Sequence, residues 1–285
     1  MKKSVFTIAL LLGLQFSLSA VAEDKTKVGL RVPNFARPLV EKWVAEYRKT
    51  NTDVDFLFVS GKSQDNNNII SLTTDNDAVA FARFAVLPVT ARASKVQELI
   101  GSHRFNAKRL KNLFFVKDEF DDEAESDRKE EEELHVYTGS SQQSVSRFFA
   151  SYFNQETANY KGKKIAGDDS FLNVAISRDS LGVTLNPLSN IFDLKSRQVR
   201  SDLALLPLDI NKQGKQILSD GHLDDIIMLL ENQNYSEIPV GNIGLAYNHS
   251  NPVLDSFVQW ILLYGTQYVH EYGLLQLPKK HLAQK

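Results

Sequence analysis

The residues that could do chemistry are few and scattered. Six histidines, His103, His135, His222, His249, His270 and His281, supply the imidazoles. None lies three or four positions from another, so no helical turn presents a local pair to a metal. Cysteine is absent, which removes disulfides, thiolate metal sites, cysteine nucleophiles and lipid attachment through a thiol. The nucleophile elbow GxSxG, the zinc helix HExxH, the Walker phosphate loop and the dinucleotide pattern GxGxxG are all missing. A non-enzymatic protein without metal or cofactor is therefore expected. One stretch approaches a calcium loop. Asp209, Asn211, Gln213, Gly214 and Asp220 fall at positions 1, 3, 5, 6 and 12 of the EF-hand pattern. Gln213 stands where Asp or Asn is usual, Asp220 is shorter than the usual Glu, and Lys212 and Lys215 dilute the negative charge. The stretch is read as a polar turn.

The elements that must position any site alternate between strand and helix. Val28, Leu30 and Val32 alternate with polar neighbours, which predicts a strand over 26–32. After Pro33-Asn34-Phe35, the stripe Leu39, Val40, Trp43, Val44 and Tyr47 predicts a helix. Val54, Phe56 and Phe58 alternate again, and Ser60-Gly61-Lys62-Ser63 is the loop that follows. Strand–helix–strand is the opening of a parallel α/β sheet. Further on, 79–89 is an apolar extended run ending at Pro88, and 95–100 and 107–115 read as short helices. Leu134 to Thr138 is a strand, followed by the loop Gly139-Ser140-Ser141-Gln142. Val145, Phe148, Phe149, Tyr152 and Phe153 then fall at helical spacing. Asn186 to Asp193 and Leu203 to Leu208 read as β segments, 224–230 as helix and 239–247 as strand. A long helix is expected over 253–272, stopped by Gly273. No repeat of 20–50 residues is visible.

Composition narrows the class. The 285 residues are 42% hydrophobic and 24% charged, enough for one large core or two smaller ones. A net charge of −2 gives no pull toward nucleic acid or anionic membrane. Lys2 and Lys3, an apolar run over 5–14 and Ala20-Val21-Ala22 read as a secretory signal peptide spanning 1–22, too short in its apolar part to cross a bilayer. The expected mature chain is soluble, exported and, lacking a cysteine, not a lipoprotein. The segment 117–133 carries eleven acidic and three basic residues and is expected to be a solvated loop.

Three stretches carry a resemblance. The first is Phe257-Val258-Gln259-Trp260, continuing through Gly265-Thr266-Gln267-Tyr268-Val269 to Gly273-Leu274-Leu275-Gln276-Leu277-Pro278. The second is Ala204-Leu205-Leu206-Pro207-Leu208-Asp209-Ile210-Asn211. The third is the opening strand, loop and helix with Pro38, Trp43 and Tyr47. Together they resemble the phosphate-binding, type 2 periplasmic substrate-binding proteins of ABC uptake systems. The resemblance implies an α/β fold of two lobes, with mixed sheets flanked by helices and a two-strand hinge. Lobe one would hold 26–88 and 240–285, and lobe two 92–236, with crossings near Ala85–Ala91 and Ile238–Tyr247. It implies a monomer in the periplasm that captures phosphate or a related oxyanion for an ABC permease.

The same resemblance places ligand contacts at Asn34 and Phe35, at Ser60, Gly61, Lys62 and Ser63, at Arg83, and at Gly139, Ser140, Ser141 and Gln142. Such loops suit an oxyanion because helix amino termini, hydroxyls and a guanidinium supply many fixed donors. Several positions depart from the family pattern. Ser141 and Gln142 stand where glycine and threonine are expected, the opening loop is bulky, and Arg83 lies near the place of the proton-accepting carboxylate. The alternative is an envelope interaction module that has lost small-ligand binding. Its mark would be side chains of Phe35, Phe84 and Gln142 filling the cleft.

Overall fold

The computed structural model describes residues 25–61, 67–75, 77–116 and 132–278. The expected signal peptide, Lys62, Ser63 and most of the acidic run lie outside the described residues.

The opening strand β1 (Thr26–Arg31) buries Val28 and Leu30. It pairs in parallel with β2 (Val54–Phe58) and with β3 (Ile69–Thr73). Helix α1 (Arg37–Tyr47) connects β1 to β2, with Pro38 in its first turn, where a missing N–H costs nothing. Its stripe Leu39, Val40, Trp43, Val44 and Tyr47 is buried as the spacing requires. β3 pairs antiparallel with β9 (Val240–Ala246), so the two ends of the chain share one sheet.

β9 in turn lies antiparallel to β4 (Val79–Ala91), the longest strand. The far half of β4 pairs antiparallel with β7 (Gly182–Pro187) and with β8 (Leu203–Leu205). β5 (His135–Gly139) is parallel to β7, and β6 (Lys163–Ile165) to β5. The strand order is β2-β1-β3-β9-β4-β7-β5-β6, with β8 branching from β4. The fold is thus a mixed α/β sheet flanked by helices. These are α2 (Val96–Ile100), α3 (Ala107–Phe114), α4 (Val145–Tyr152), α5 (Ser170–Ser177), α6 (Leu188–Ile191), α7 (Lys212–Asp220), α8 (Leu223–Asn232) and α9 (Pro252–Leu263).

Four local expectations are corrected. β4 does not end at Pro88 but runs on to Ala91. Antiparallel pairing directs the backbone of Pro88 toward β8, where its carbonyl accepts the N–H of Leu206. A missing donor is tolerated there, because β8 has already ended at Leu205. The expected β segment over 186–193 is strand only to Pro187, then helix α6. The calcium-like stretch is largely helix α7, with Asn211 as its cap, accepting the N–H of Gly214 at 2.8 Å. Lys215 pairs with Asp209 at 2.8 Å. The expected long helix over 253–272 breaks at Tyr264 and resumes as a 3-10 segment, Gly265–Tyr272.

The break has a cause in packing. Trp43 is fully buried, meets the ring of Phe81 edge-on at 4.9 Å, and donates its indole N–H to the Gly265 carbonyl at 2.8 Å. A Cβ on Gly265 would come within 2.9 Å of that indole nitrogen. The turn therefore needs glycine, and it fastens the last helical segment to the first helix. Trp43→Phe should lower the unfolding free energy by about 2–4 kcal/mol, through a lost hydrogen bond, an unpaired buried carbonyl and lost packing volume. Urea denaturation checks this; an unchanged midpoint would remove Trp43 from that role.

Candidate functional site

A cavity of about 410 Å³ opens where β3, β4, β9 and α4 meet. Pro33 and Phe35 of the opening loop form one wall. Leu72, Thr73, Thr74 and Asp75 at the end of β3, with Phe84 and Ile243, form the floor and side. Gln142 to Val145 and, on α4, Arg147, Phe148 and Ser151 close it. The aromatic rings are packed in sequence. Phe35 and Phe84 lie 5.6 Å apart, and Phe84 and Phe148 4.7 Å apart. Phe148 presses so closely on the sheet that a Cβ at Gly241 would fall 2.4 Å from its ring. The apolar wall is therefore part of the packing and not a loose lining.

Of the residues singled out by sequence, the structure brings Phe35 and Gln142 to this cavity. Asn34 is exposed beside it in a short 3-10 turn, Asn34–Ala36, and its carbonyl accepts the N–H of Arg37. Ser60 and Gly61 are exposed beyond β2 and do not line it. Arg83 does not line it either: its Nε donates to the Gln276 carbonyl at 2.9 Å, and its backbone pairs with Leu275. The loop 139–142 is engaged mostly with itself and its neighbours. Gly139 donates its N–H to the Ser146 hydroxyl at 2.9 Å, Ser140 donates to the Ile165 carbonyl, and the Ser141 carbonyl accepts the Ser144 N–H.

The amino terminus of α4 is where an anion would be expected to sit, and it already holds one. Asp169, just ahead of α5, is buried. Its Oδ1 accepts the Ser144 hydroxyl at 2.5 Å and its Oδ2 the Val145 N–H at 2.8 Å. Ser144 caps the helix by accepting the Ser146 N–H at 3.1 Å. Gly139 supplies the room, since a Cβ there would stand 2.1 Å from the Ser144 hydroxyl and 2.6 Å from Asp169. Burial pushes the Asp169 carboxyl up to about 6, against the opposing pull of the Ser144 hydroxyl and the Val145 N–H. The helix end that suits a phosphate by its dipole is thus satisfied from within.

The charge that remains at the cavity is at its rim. Arg147 is exposed, and its guanidinium has no hydrogen bond or ion pair among the described residues. Asp75 is exposed and accepts the Thr73 hydroxyl at 2.8 Å. Phe84 and Phe35 are already buried, so Phe148 is the ring of the three left partly exposed, and the rim carries both Arg147 and Asp75. No group of three or more His, Asp or Glu that could hold a metal occurs among the described residues. Sequence reasoning missed Asp169, Arg147 and Phe148. Arg147 and Phe148 sat in the helical pattern as ordinary surface and core residues. Asp169 is twenty-odd residues from its partners, with no local signal to link them.

No protein-family model matches the chain, and no curated protein matches it in sequence. Solved structures do match in fold. An ABC-type phosphate transport receptor from Vibrio cholerae aligns with a TM-score of 0.58 at 10% identity, covering 88% of this chain and 100% of that one. A substrate-binding protein assigned to a phosphate ABC transporter of Clostridium perfringens, with bound phosphate, aligns at 0.55 and 12% identity, covering 89% and 100%. A regulatory domain from Synechocystis in complex with 2-PG aligns at 0.51 and 10% identity, covering 84% and 97%. The chain has the type 2 periplasmic binding-protein fold. It is a divergent example of that fold, which it shares with the two transport proteins and the regulatory domain above. No helix among the described residues is long and apolar enough to cross a membrane.

The buried carboxyl makes a pH prediction. Its folded pKa lies above its ordinary value of 3.8. Its stabilising contribution is therefore full below about pH 4 and is lost as pH rises through about 6. The loss amounts to at most about 3 kcal/mol between pH 4 and pH 7. Asp169→Asn keeps an acceptor for Val145 and cannot ionise. Unfolding measured from pH 4 to 8 should show a shallower decline for the variant; parallel curves would show that Asp169 is not the titrating group. A second measurement concerns Thr138, one residue before Gly139, whose buried hydroxyl has no hydrogen-bond partner. Thr138→Val should raise stability by up to about 1 kcal/mol, because an unpaired buried polar group is replaced by a methyl. A lower melting temperature would reveal a hidden partner.

Proposed function

We propose that this chain is an exported, non-enzymatic solute-binding protein that captures a small organic oxyanion between two lobes. Lobe one comprises 26–88 with the C-terminal part from 240, and lobe two comprises 92–236. Strands β4 and β9, running side by side, form the hinge on which such lobes close around a ligand. The signal-like segment 1–22 directs the chain to the periplasm, where an ABC permease is the acceptor of the ligand.

The observation that carries the ligand class is the division of labour at α4. Its N-terminal donors serve Asp169, while Phe35, Phe84 and Phe148 wall the cavity and Arg147 stands at the rim. Bare phosphate needs many donors and no apolar wall. A molecule with an apolar body and a carboxylate or phosphate end uses both halves of this cavity. The fold neighbours described with phosphate and with 2-PG support an oxyanion as the common theme. The closeness of Phe84 to Phe148 and Phe35 favours one other reading, that of an envelope interaction module in which aromatic packing has replaced the ligand.

Calorimetric titration separates the readings. Aromatic carboxylates and phosphates should bind, and inorganic phosphate and sulfate at the same concentration should give no measurable heat. Arg147→Ala should weaken the organic anion by about 10- to 100-fold, the worth of one charge-assisted hydrogen bond. Phosphate binding as tight as any organic anion would overturn the organic class. Silence from every anion would leave the interaction module standing.

A further inference from the structure

We infer that the open edge of β8, with the cavity beside it, is a docking site for an extended acidic peptide segment of a partner protein. This site lies away from the cavity at α4 and shares none of its lining residues. The cavity measures about 560 Å³. One wall is β8 and its continuation through Leu206, Pro207 and Leu208. The opposite wall is the face of α7 that carries Lys215, Leu218 and Ser219.

The backbone on the first wall is paired except at Leu205: the Pro207 carbonyl accepts the Phe105 N–H, and Leu208 bridges to Phe105. β8 pairs with β4 alone. The Leu206 N–H reaches the Pro88 carbonyl and the Arg92 N–H reaches the Asp202 carbonyl, so residues 202, 204 and 206 face β4. Antiparallel geometry then turns the N–H and C=O of Leu203 and Leu205 outward. The Leu203 N–H is satisfied by Arg200, but Leu205 has no backbone partner among the described residues. Such an edge is a template for an added strand.

The charge around that edge selects the strand. Arg92, Arg104 and Lys215 line the cavity, and Asp220 is the single carboxylate among the lining residues. Asp220 accepts the Gln216 amide, and Asp209 just outside is paired with Lys215. Arg92 spends its Nε on the Ser201 carbonyl, leaving its terminal nitrogens, and the Arg104 guanidinium, in the field of Asp209, has no hydrogen bond or ion pair among the described residues. Two arginines thus stand beside unpaired strand backbone. An incoming strand that alternates acidic and apolar residues would put its carboxylates on the arginines and its amides on Leu205. Pro207 has no N–H to donate and its carbonyl already accepts the Phe105 N–H, so the added pairing is confined to Leu205.

Fluorescence anisotropy with the full chain tests this. The probe is a labelled eight-residue peptide alternating Glu and Val, compared with its Lys–Val counterpart and with a form N-methylated on the pairing amides. The acidic peptide should bind saturably and the other two about tenfold more weakly or not at all. Arg92→Glu with Arg104→Glu, both exposed, should abolish the difference between the acidic and basic peptides without changing the melting temperature. Leu205→Pro removes the outward N–H together with a side chain packed against the core, so it is compared with Leu205→Ala, which keeps the N–H; the proline variant should weaken binding and the alanine variant should not. Equal binding of the N-methylated peptide, or indifference to the arginine reversal, would overturn the inference. So would competition by inorganic phosphate or citrate at the peptide's own concentration, which marks a simple anion site. A concentration-dependent dimer lost in Leu205→Pro would overturn it too, because the edge would then belong to a second copy. Arg147→Ala, which tests the other cavity, should leave peptide binding unchanged.

Discussion

Strand β4 has to satisfy partners in two directions along its thirteen residues. Its first half lies against β9, and Arg83 bridges to Leu275. Its second half lies between β7 and β8. Each half lacks enough chain to complete a sheet alone, so the ends of the polypeptide must return to the first half while the middle builds on the second. A bulge between Ala80 and Ala82 marks the adjustment near its start, and there Phe81 turns in against Trp43. Disturbing this strand would disturb the whole sheet, the core packed on it and the cavity that Phe84 lines. Phe84 sits near the middle of β4, and that position gives it contact with Phe35 from one side and Phe148 from the other.

The two halves are also tied behind the cavity. Glu231 of α8 accepts from the Gln276 N–H and shares a hydrogen bond with His270. Arg197 donates to the carbonyls of His270 and Glu271 and pairs with Asp224. Ser189 donates to the Phe35 carbonyl at 3.2 Å. These contacts join residues from the middle of the chain to its ends. A hinge motion of the β4–β9 pair would have to lengthen them or pivot about them.

Much of this architecture was legible in the sequence, and the reasons for the rest are local. The alternation of Val28 and Leu30 and the stripe from Leu39 to Tyr47 are strong because each element buries one face only. β6 was not legible: Lys163 and Lys164 are exposed at a sheet edge and carry no apolar alternation. α7 was obscured because its first turns are polar and its cap, Asn211, mimics a ligand position in a calcium loop. The run from Pro252 to Tyr272 reads as one helix because its apolar spacing persists; only the close approach of Trp43 to Gly265 ends it, and that contact spans most of the chain. Phe35 and Gln142, two of the eleven positions the family resemblance implied, line the cavity. Asp169 did not announce itself, because a carboxylate that caps another element's helix leaves no periodic trace.

Asp169 also explains why fold likeness and ligand likeness part company here. A helix N-terminus carries partial positive charge whatever occupies it, and an internal carboxylate competes with any external anion for the same donors. To admit phosphate at α4, the protein would have to displace Asp169 or keep it protonated against its own hydrogen bonds from Ser144 and Val145. Either step costs stability that the bound ion would need to return. An anion held by Arg147 avoids that cost, because the guanidinium is already exposed and unpaired among the described residues. Of the aromatic wall, Phe148 is the ring left partly exposed, and an apolar group laid on it would remove area from water at about 25 cal/mol per Å². The donors of this helix end are thus spent on Asp169, and the charged groups left at the cavity rim are Arg147 and Asp75.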